Sequence, residues 1–396
     1  LASVFAAGSA FASAYRIPEQ SYDSTAKAGA NIASAQNADA SYFNPANMSW
    51  SSNAWQLEAD LSYIHLSSIK YTDARSAAYN GSSKEENFLL PTLFVISPDY
   101  NNFRVGFSIT APYGLAKRWE GLYPSTFADK FELQVFDINP TVSYKINNMV
   151  SVAAGVRCLY STATYATNAN LVGVGQSMSG DVTAWGYNLA LSVKPDKNSN
   201  ISVTYRSNVD LDLEGTAYFR GAYGSANAEG KVTVPAPAVL AVSGAYTFFD
   251  KLTVELTFDR TFWSEYKNLD LNFNTVSPYT MIFGAPVAKN WDDSNAYRIG
   301  ISYKATDMIT LMGGFAYDET PIPNETVGFD LPDSNAYLFS VGARFKVTSQ
   351  MELGLGVLYD LKSERTVNNL ADGGHADGKF KDASALLMTA GLTYTF

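Results

Sequence analysis

The sequence predicts an all-β fold, a membrane-spanning antiparallel β-barrel of about 14 strands with an N-terminal plug inside its lumen. Three observations lead there. From about residue 53 apolar residues recur with a period of two, the connections alternate between short and long, and the stretch 15–50 breaks that pattern before the first strand.

The period of two is the strand period, because successive side chains point to opposite faces. Near 201, Ile201, Val203 and Tyr205 share one face while Ser202, Thr204, Arg206 and Asn208 share the other. Near 337, Tyr337, Phe339, Val341, Ala343 and Phe345 oppose Ser340, Gly342 and Arg344. One face suits lipid and the other a wet lumen. The parse places strands at 53–68, 86–97, 103–116, 131–145, 149–164, 182–194, 200–215, 230–246, 251–267, 295–304, 308–318, 335–346, 350–363 and 382–396.

Short connections such as Pro98–Asn102, Asn147–Asn148, Pro195–Ser199 and Ala305–Asp307 alternate with long ones near 69–85, 117–130, 268–294 and 364–381. Short periplasmic turns and longer extracellular loops are the pattern of outer-membrane barrels, and an even strand number puts both termini on the periplasmic side. The last strand ends on Tyr394 and Phe396, in phase with Met388, Ala390 and Leu392, as an interface girdle requires.

Composition excludes several classes. The 396 residues carry a formal charge of -10 with 17% charged and 14% aromatic residues, a balance that favours neither disorder nor a nucleic-acid partner. The single Cys158 excludes an intramolecular disulfide, no cofactor or metal is implied, and no apolar run reaches the eighteen residues of a transmembrane helix.

Residues 1–14, LASVFAAGSAFASA, resemble the apolar end of a secretory signal peptide, with Ala12 and Ala14 in an A-x-A-like arrangement before Tyr15. Residues 15–50 are rich in Ala and Ser, with helix-compatible runs around 26–35 and a stop at Pro45, too polar to span a membrane. A barrel this wide conducts unless something fills it, so 15–50 is the plug candidate and 51–396 the barrel.

Asn44, Pro45 and Ala46, in YFNPANMSW, resemble the NPA motif in the hatch of the outer-membrane long-chain fatty acid and aromatic-hydrocarbon transporter family. APYGLAKRW (111–119), SVTYRSNVDLDLEG (202–215), NAYRIGISY (295–303) and GFAYDETPIP (314–323) followed by LPDSNAYLFSVG (331–342) resemble further segments of that family in the same order. The resemblance implies a Gram-negative outer-membrane location, a hydrophobic small molecule or fatty acid as ligand, a groove among the extracellular loops, a deeper pocket ending at the hatch, and lateral exit through a gap made by a kinked third strand. It further implies a monomer bounded by outer-membrane lipid and lipopolysaccharide.

Pro112 lacks an amide hydrogen and Gly114 tolerates unusual dihedrals, so both weaken strand pairing; they are read as the wall kink or as loop residues at the strand's outer end, with Gly106 a second place for the kink. Parity turns Arg157, Arg206, Arg298 and Arg344 inward, with Glu255, Asp259 and Glu352 as partners, in a structural network or as ligand anchors. The family's fatty-acid members fix a carboxylate with basic residues. Here YSTATYAT (160–167) is less basic, which leaves Arg157 and Lys267 as substitutes and keeps a neutral hydrocarbon open as ligand. Tyr279, Met281, Ile282 and Phe283 form a greasy loop stretch suited to capture. His65 and His375 stand apart with no catalytic or zinc-like cluster, so the chain is not read as an enzyme. A general porin and a surface adhesin or phage receptor remain as rival readings.

Overall fold

Alternating faces and short turns produce the barrel directly. In the computed structural model, which describes residues 14–169 and 171–396, the strands are β1 (Gln56–Leu66), β2 (Glu86–Ile96), β3 (Phe103–Glu120), β4 (Lys130–Lys145), β5 (Val150–Ala166) and β6 (Val174–Val193). β7 runs in two parts, Ser199–Arg206 and Val209–Gly221, as does β8, Gly224–Ala236 and Ala238–Phe248. There follow β9 (Leu252–Phe262), β10 (Ser294–Lys304), β11 (Ile309–Asp318), β12 (Ala336–Lys346), β13 (Met351–Lys362) and β14 (Ser384–Thr395). Each pairs antiparallel with its neighbour, and β14 closes on β1 from Gln56↔Thr395 to Leu66↔Ala385. The result is a closed 14-stranded barrel. The expectation for residues 1–14 falls outside the described residues except at Ala14.

The turns are built by the residues their geometry demands. Asn101 and Asn102 both have positive φ (56° and 71°) between Tyr100 and Phe103, the left-handed pair that matches strand twist in a two-residue hairpin. Asn147 Oδ1 accepts from the amides of Met149 (2.7 Å) and Val150 (2.9 Å), and Asp196 Oδ1 does the same for Asn198 and Ser199.

Most strands lie within three residues of their expected bounds. β6 begins at Val174 rather than 182, because 174–181 continues the ladder against 214–221 of β7, and β8 at Gly224 rather than 230, because 224–229 pairs with 216–221 of β7. Those residues are mostly polar or small, so pairing persists where the apolar signal has ended. β9 stops at Phe262 rather than 267, where the chain turns to bury Trp263.

The barrel is apolar outside and polar inside. Leu61, Val142, Leu189, Ile201, Leu256 and Val341 are exposed, while Ser62, Ser143, Asn188, Ser202, Thr257 and Ser340 on the opposite face are buried. What buries them is the N-terminal segment. Its helices, α1 (Tyr22–Ala26) and α2 (Ala40–Phe43), and the 3-10 turn Pro45–Trp50 are short and buried. Helix sits at 22–26 and not around 26–35, because Ser21 caps the amide of Ser24 and Ala28 and Gly29 take positive φ just afterwards. The segment binds the inner face of the wall through side chains. The carboxylate of Glu255 on β9 accepts the amides of Ile32 (2.7 Å), Ala33 (2.8 Å) and Ser34 (2.9 Å), three donors with no helix to satisfy them.

Glu255→Ala is expected to lower stability by on the order of 3 kcal/mol, because it strands these buried donors. Thermal unfolding of the folded barrel in detergent checks this; an unchanged midpoint would show that the segment is held elsewhere.

Candidate functional site

The wall is interrupted beside β3, as it also is between β6 and β7 where β7 divides at 207–208. β2 and β3 pair over only four positions, Leu93↔Ile109 to Ile96↔Gly106. Above them Asn87–Thr92, about 20 Å of strand, has no β3 partner among the described residues. β3 leaves the wall at a bulge: Thr110 pairs with Asp137 and Tyr113 with Val135, so Ala111 and Pro112 face the single Phe136 of β4. From Thr110 to Lys117 every residue is buried, as in a strand covered on both faces. Pro91 on β2 and Pro112 on β3 border the gap, where a missing amide hydrogen loses no ladder bond.

The backbone released by the bulge finds partners in the N-terminal segment. Ile17 donates to the carbonyl of Pro112 (2.8 Å), and Gly114 donates to Tyr15 (2.9 Å). The Gln20 side chain mimics a peptide group: its Oε1 accepts from Ala111 N (2.8 Å) and its Nε2 donates to Ala111 O (3.1 Å). Thr92 of β2 donates to the Gln20 carbonyl (2.8 Å). At its upper end the gap is closed by Ser83↔Trp119 and by a bidentate ion pair from Arg118 to Glu86.

Two cavities lie within the barrel, the second of them bordering the bulge. One, of about 30 Å³, is lined by apolar side chains that include Phe131, Leu133, Met178, Leu213, Val234 and Leu271. The other, of about 40 Å³, lies between the N-terminal segment and the wall, where Arg16, Tyr42, Pro112, Arg206 and Asp259 meet. Each holds a few waters' worth of space at most, so a drug-sized ligand, which fills about 300 Å³ or more, enters only if side chains or loops move. Above them the loops form an aromatic core in which Trp119 Nε1 donates to Phe329 O (2.6 Å) and Phe329 packs on Tyr71, Phe127 and Phe380. His375 stacks on Phe127 at 3.9 Å in this core, and burial pushes its imidazole pKa down.

Pro112 and Gly114 lie inside β3 at the kink itself and are not loop residues. Gly106 is a correction: it lies in the last regular β2–β3 pairing, and its missing side chain admits Met48 and Ser41 of the N-terminal segment.

The inward arginines are committed to charge networks. Arg157 donates to Asp137 (2.8 Å) and to Ser207 O (3.1 Å). Arg206 donates to Tyr42 O (2.6 Å), lies 3.8 Å from the centre of that ring, and reaches Asp137 at 3.4 Å. Arg298 binds Asp259, Asp318 and Ala28 O, each at 3.0 Å, and Arg344 pairs with Asp23 (3.2 Å) and Glu352 (3.6 Å). Lys267, considered as a substitute anchor, is exposed on a loop and does not reach the lumen.

Asn44 donates to Ile32 O (3.1 Å) and Ser202 Oγ (2.8 Å), Pro45 opens the 3-10 turn, and Ala46 packs on Ala153 and Ala190. The larger hub is Asn47, which donates to Ile32, Ala33 and Ala35 and accepts from Ser192 and Asn200. In the loop helix Pro278–Phe283, Met281 and Ile282 are exposed. Tyr279 is a correction: it is buried against Phe219 with its hydroxyl on Gly224 O, and Phe283 also stacks on Phe219. The capping box at Ser277 fixes the helix phase that turns Tyr279 inward.

The family model described as outer membrane protein transport protein (OMPP1/FadL/TodX) matches residues 3–396. The chain belongs to this family. It is therefore an outer-membrane barrel that transports hydrophobic compounds. Outer membrane protein P1 of Haemophilus influenzae is 24% identical over 90% of this chain and 88% of its own. The long-chain fatty acid transport protein of Escherichia coli K12 is 24% identical over 68% of this chain and 70% of its own. A crystal structure of a Pseudomonas aeruginosa FadL homologue superposes with a TM-score of 0.83 at 20% identity, covering 96% of this chain and 99% of that one. In the transporter, Gln20, Asn47, Arg118 and Glu86 escaped the sequence reading; the one signal for the gap itself was a pair of prolines, Pro91 and Pro112, inside adjacent strands.

Gln20→Leu keeps the volume but leaves both backbone groups of Ala111 unpaired, a loss of about 1–3 kcal/mol. Hydrogen exchange at 111–114 is expected to quicken while the rest of β3 and β4 stays protected; uniform protection would show that the surrogate bond carries nothing.

Proposed function

We propose that this transporter captures hydrophobic compounds at its loops, passes them to the luminal cavities, and releases them sideways into the membrane between β2 and β3. The observation that carries the reading is the wall break at Asn87–Thr92, above a lumen closed by residues 15–50. Met281 and Ile282, exposed on the loop helix, form the capture surface. Residues 15–50 act as the hatch, with the NPA turn and Asn47 fixing it to β6 and β7.

Energetics favour the sideways route. Returning about 300 Å² of apolar ligand surface to an aqueous lumen costs on the order of 7 kcal/mol, which passage into hydrocarbon avoids. A continuous polar exit is also missing from this reading, because the lower lumen is packed with ion pairs such as Arg344–Asp23 that would have to break first. Long-chain fatty acids are the proposed substrates. The predominantly apolar lining of the cavity at Phe131 and Leu133 supports a second reading, a neutral aromatic hydrocarbon.

Deleting residues 15–50 should convert a nearly silent barrel into a conducting one in planar bilayers. A large conductance already present in the intact chain would favour a general porin. Ala116 packs in one apolar cluster with Phe88 and Leu90 across the gap. Ala116→Trp should therefore cut uptake at least about tenfold while ligand binding to the purified protein persists, and undiminished uptake by a folded variant would rule out this exit.

A further inference from the structure

The second break in the wall lies beside the apolar cavity. β6 pairs with the lower part of β7 from Val193↔Ile201 to Asn188↔Arg206, and with its upper part from Asp181↔Glu214 to Val174↔Gly221. Between these ladders, Val182–Tyr187 and Ser207–Leu213 share no register among the described residues. Each edge stays paired on its far side, β6 with β5 through Tyr160↔Thr183 and Val156↔Tyr187, and β7 with β8 from Val209↔Ala236 to Leu213↔Val232. The parity of β7 changes at the break, so the inward set passes from Ser202 and Arg206 to Val209, Leu211 and Leu213. At the lower end Ser207 N donates to Tyr187 O (2.9 Å) and Tyr187 N to Ser207 Oγ (3.0 Å).

The lining of the break is apolar. Val182 and Ala184 of β6 pack with Val209, Leu211 and Leu213 of β7 in one cluster, and a Cβ at Gly186 would stand 2.6 Å from Cγ2 of Val209. Leu213, at the upper end, lines the cavity of about 30 Å³, as do Met178 and Gly180 on β6 just above. A cavity of that size admits an organic molecule only when its walls part, and these two edges part without breaking a sheet ladder. The outer side is different. Trp185 and Tyr187 are exposed aromatics, the residues of a membrane interface. Around them Asp181, Asp210 and Glu214 are exposed, and Lys231 is shared between Asp212 (2.9 Å) and Glu214 (3.7 Å), while Asp181 and Asp210 join no ion pair among the described residues. A mouth of this charge repels a carboxylate and passes an uncharged molecule.

We propose that the break between β6 and β7 is a side entrance through which small uncharged hydrophobic compounds pass from the membrane interface at the loop end of the barrel into the Leu213 cavity. This rests on the transport reading above and adds a route separate from capture at the loops and from the exit beside β3. Val182, Ala184, Leu211 and Leu213 form its inner walls, and the carboxylates outside it exclude ionised acids.

The test is photolabelling of the full chain in vesicles of phospholipid and lipopolysaccharide, with trifluoromethyl phenyl diazirine as the uncharged probe and a diazirine-bearing palmitic acid, kept ionised, as the charged one. In the wild type the uncharged probe should label Val182, Ala184, Leu211 or Leu213 as well as lipid-facing Trp185, and the ionised acid should leave the four inward residues unlabelled. Gly186→Cys with Val209→Cys, in a Cys158→Ser background, places two thiols within disulfide reach across the break. Oxidation should bring inward labelling by the uncharged probe down to background, and reduction should restore it, with Trp185 labelled throughout. Inward labelling that persists in the oxidised, folded protein overturns the entrance, as does its absence in a wild type labelled at Trp185; labelling of the four by the ionised acid overturns the selection of uncharged compounds. Should the double variant not fold, the wild type decides through the contrast between the two probes. Loss of the entrance leaves capture at the loops standing, whereas a wild type in which neither probe reaches any residue of the loops or lumen overturns the transport reading as well.

Discussion

Inside a bilayer no water is available to backbone groups, so each amide and carbonyl of the wall must find a protein partner. Closure of β14 on β1 meets that demand around the ring. The kink in β3 violates it locally, and the structure answers with the N-terminal segment, which supplies Tyr15, Ile17 and the amide of Gln20 to the stretch from Ala111 to Gly114. The segment that fills the lumen is thus also the partner of the irregular wall. Any motion of one reaches the other through hydrogen bonds and not through loose contact.

The same economy explains the lumen's charges. Glu255, Asp259, Asp137, Arg206, Arg298 and Arg344 face inward because the outer face cannot hold them, and each finds its counterpart on the segment or on a neighbouring strand. Buried networks of this kind contribute little net stability over apolar packing, yet losing one partner is destabilising. They fix the position of the segment more than they strengthen the barrel. The ion-paired lumen is a polar path, and the unpaired wall between β2 and β3 is the ground for the lateral route proposed above.

Most strands and the short turns were legible because their signals are local. Alternation needs only two neighbouring residues, and Asn101–Asn102 or Asn147–Asn148 announce a turn without reference to anything distant. The inward arginines were legible by parity for the same reason. Gly106 was misread because a glycine in a strand marks either a kink or a close approach, and which one depends on Met48, 58 positions earlier in the chain. Tyr279 was misread because greasy loop residues look alike until Phe219 stands opposite them.

The sequence by itself determined a 14-stranded barrel, its inner and outer faces, and a non-strand segment ahead of it, since each follows from residue order at a range of a few positions. Only the tertiary structure decided where the wall breaks and that Gln20 stands in for a strand. Those are statements about pairing between residues far apart in the chain. A hydrogen bond that β3 fails to make with β2 leaves no mark in either strand's own alternation.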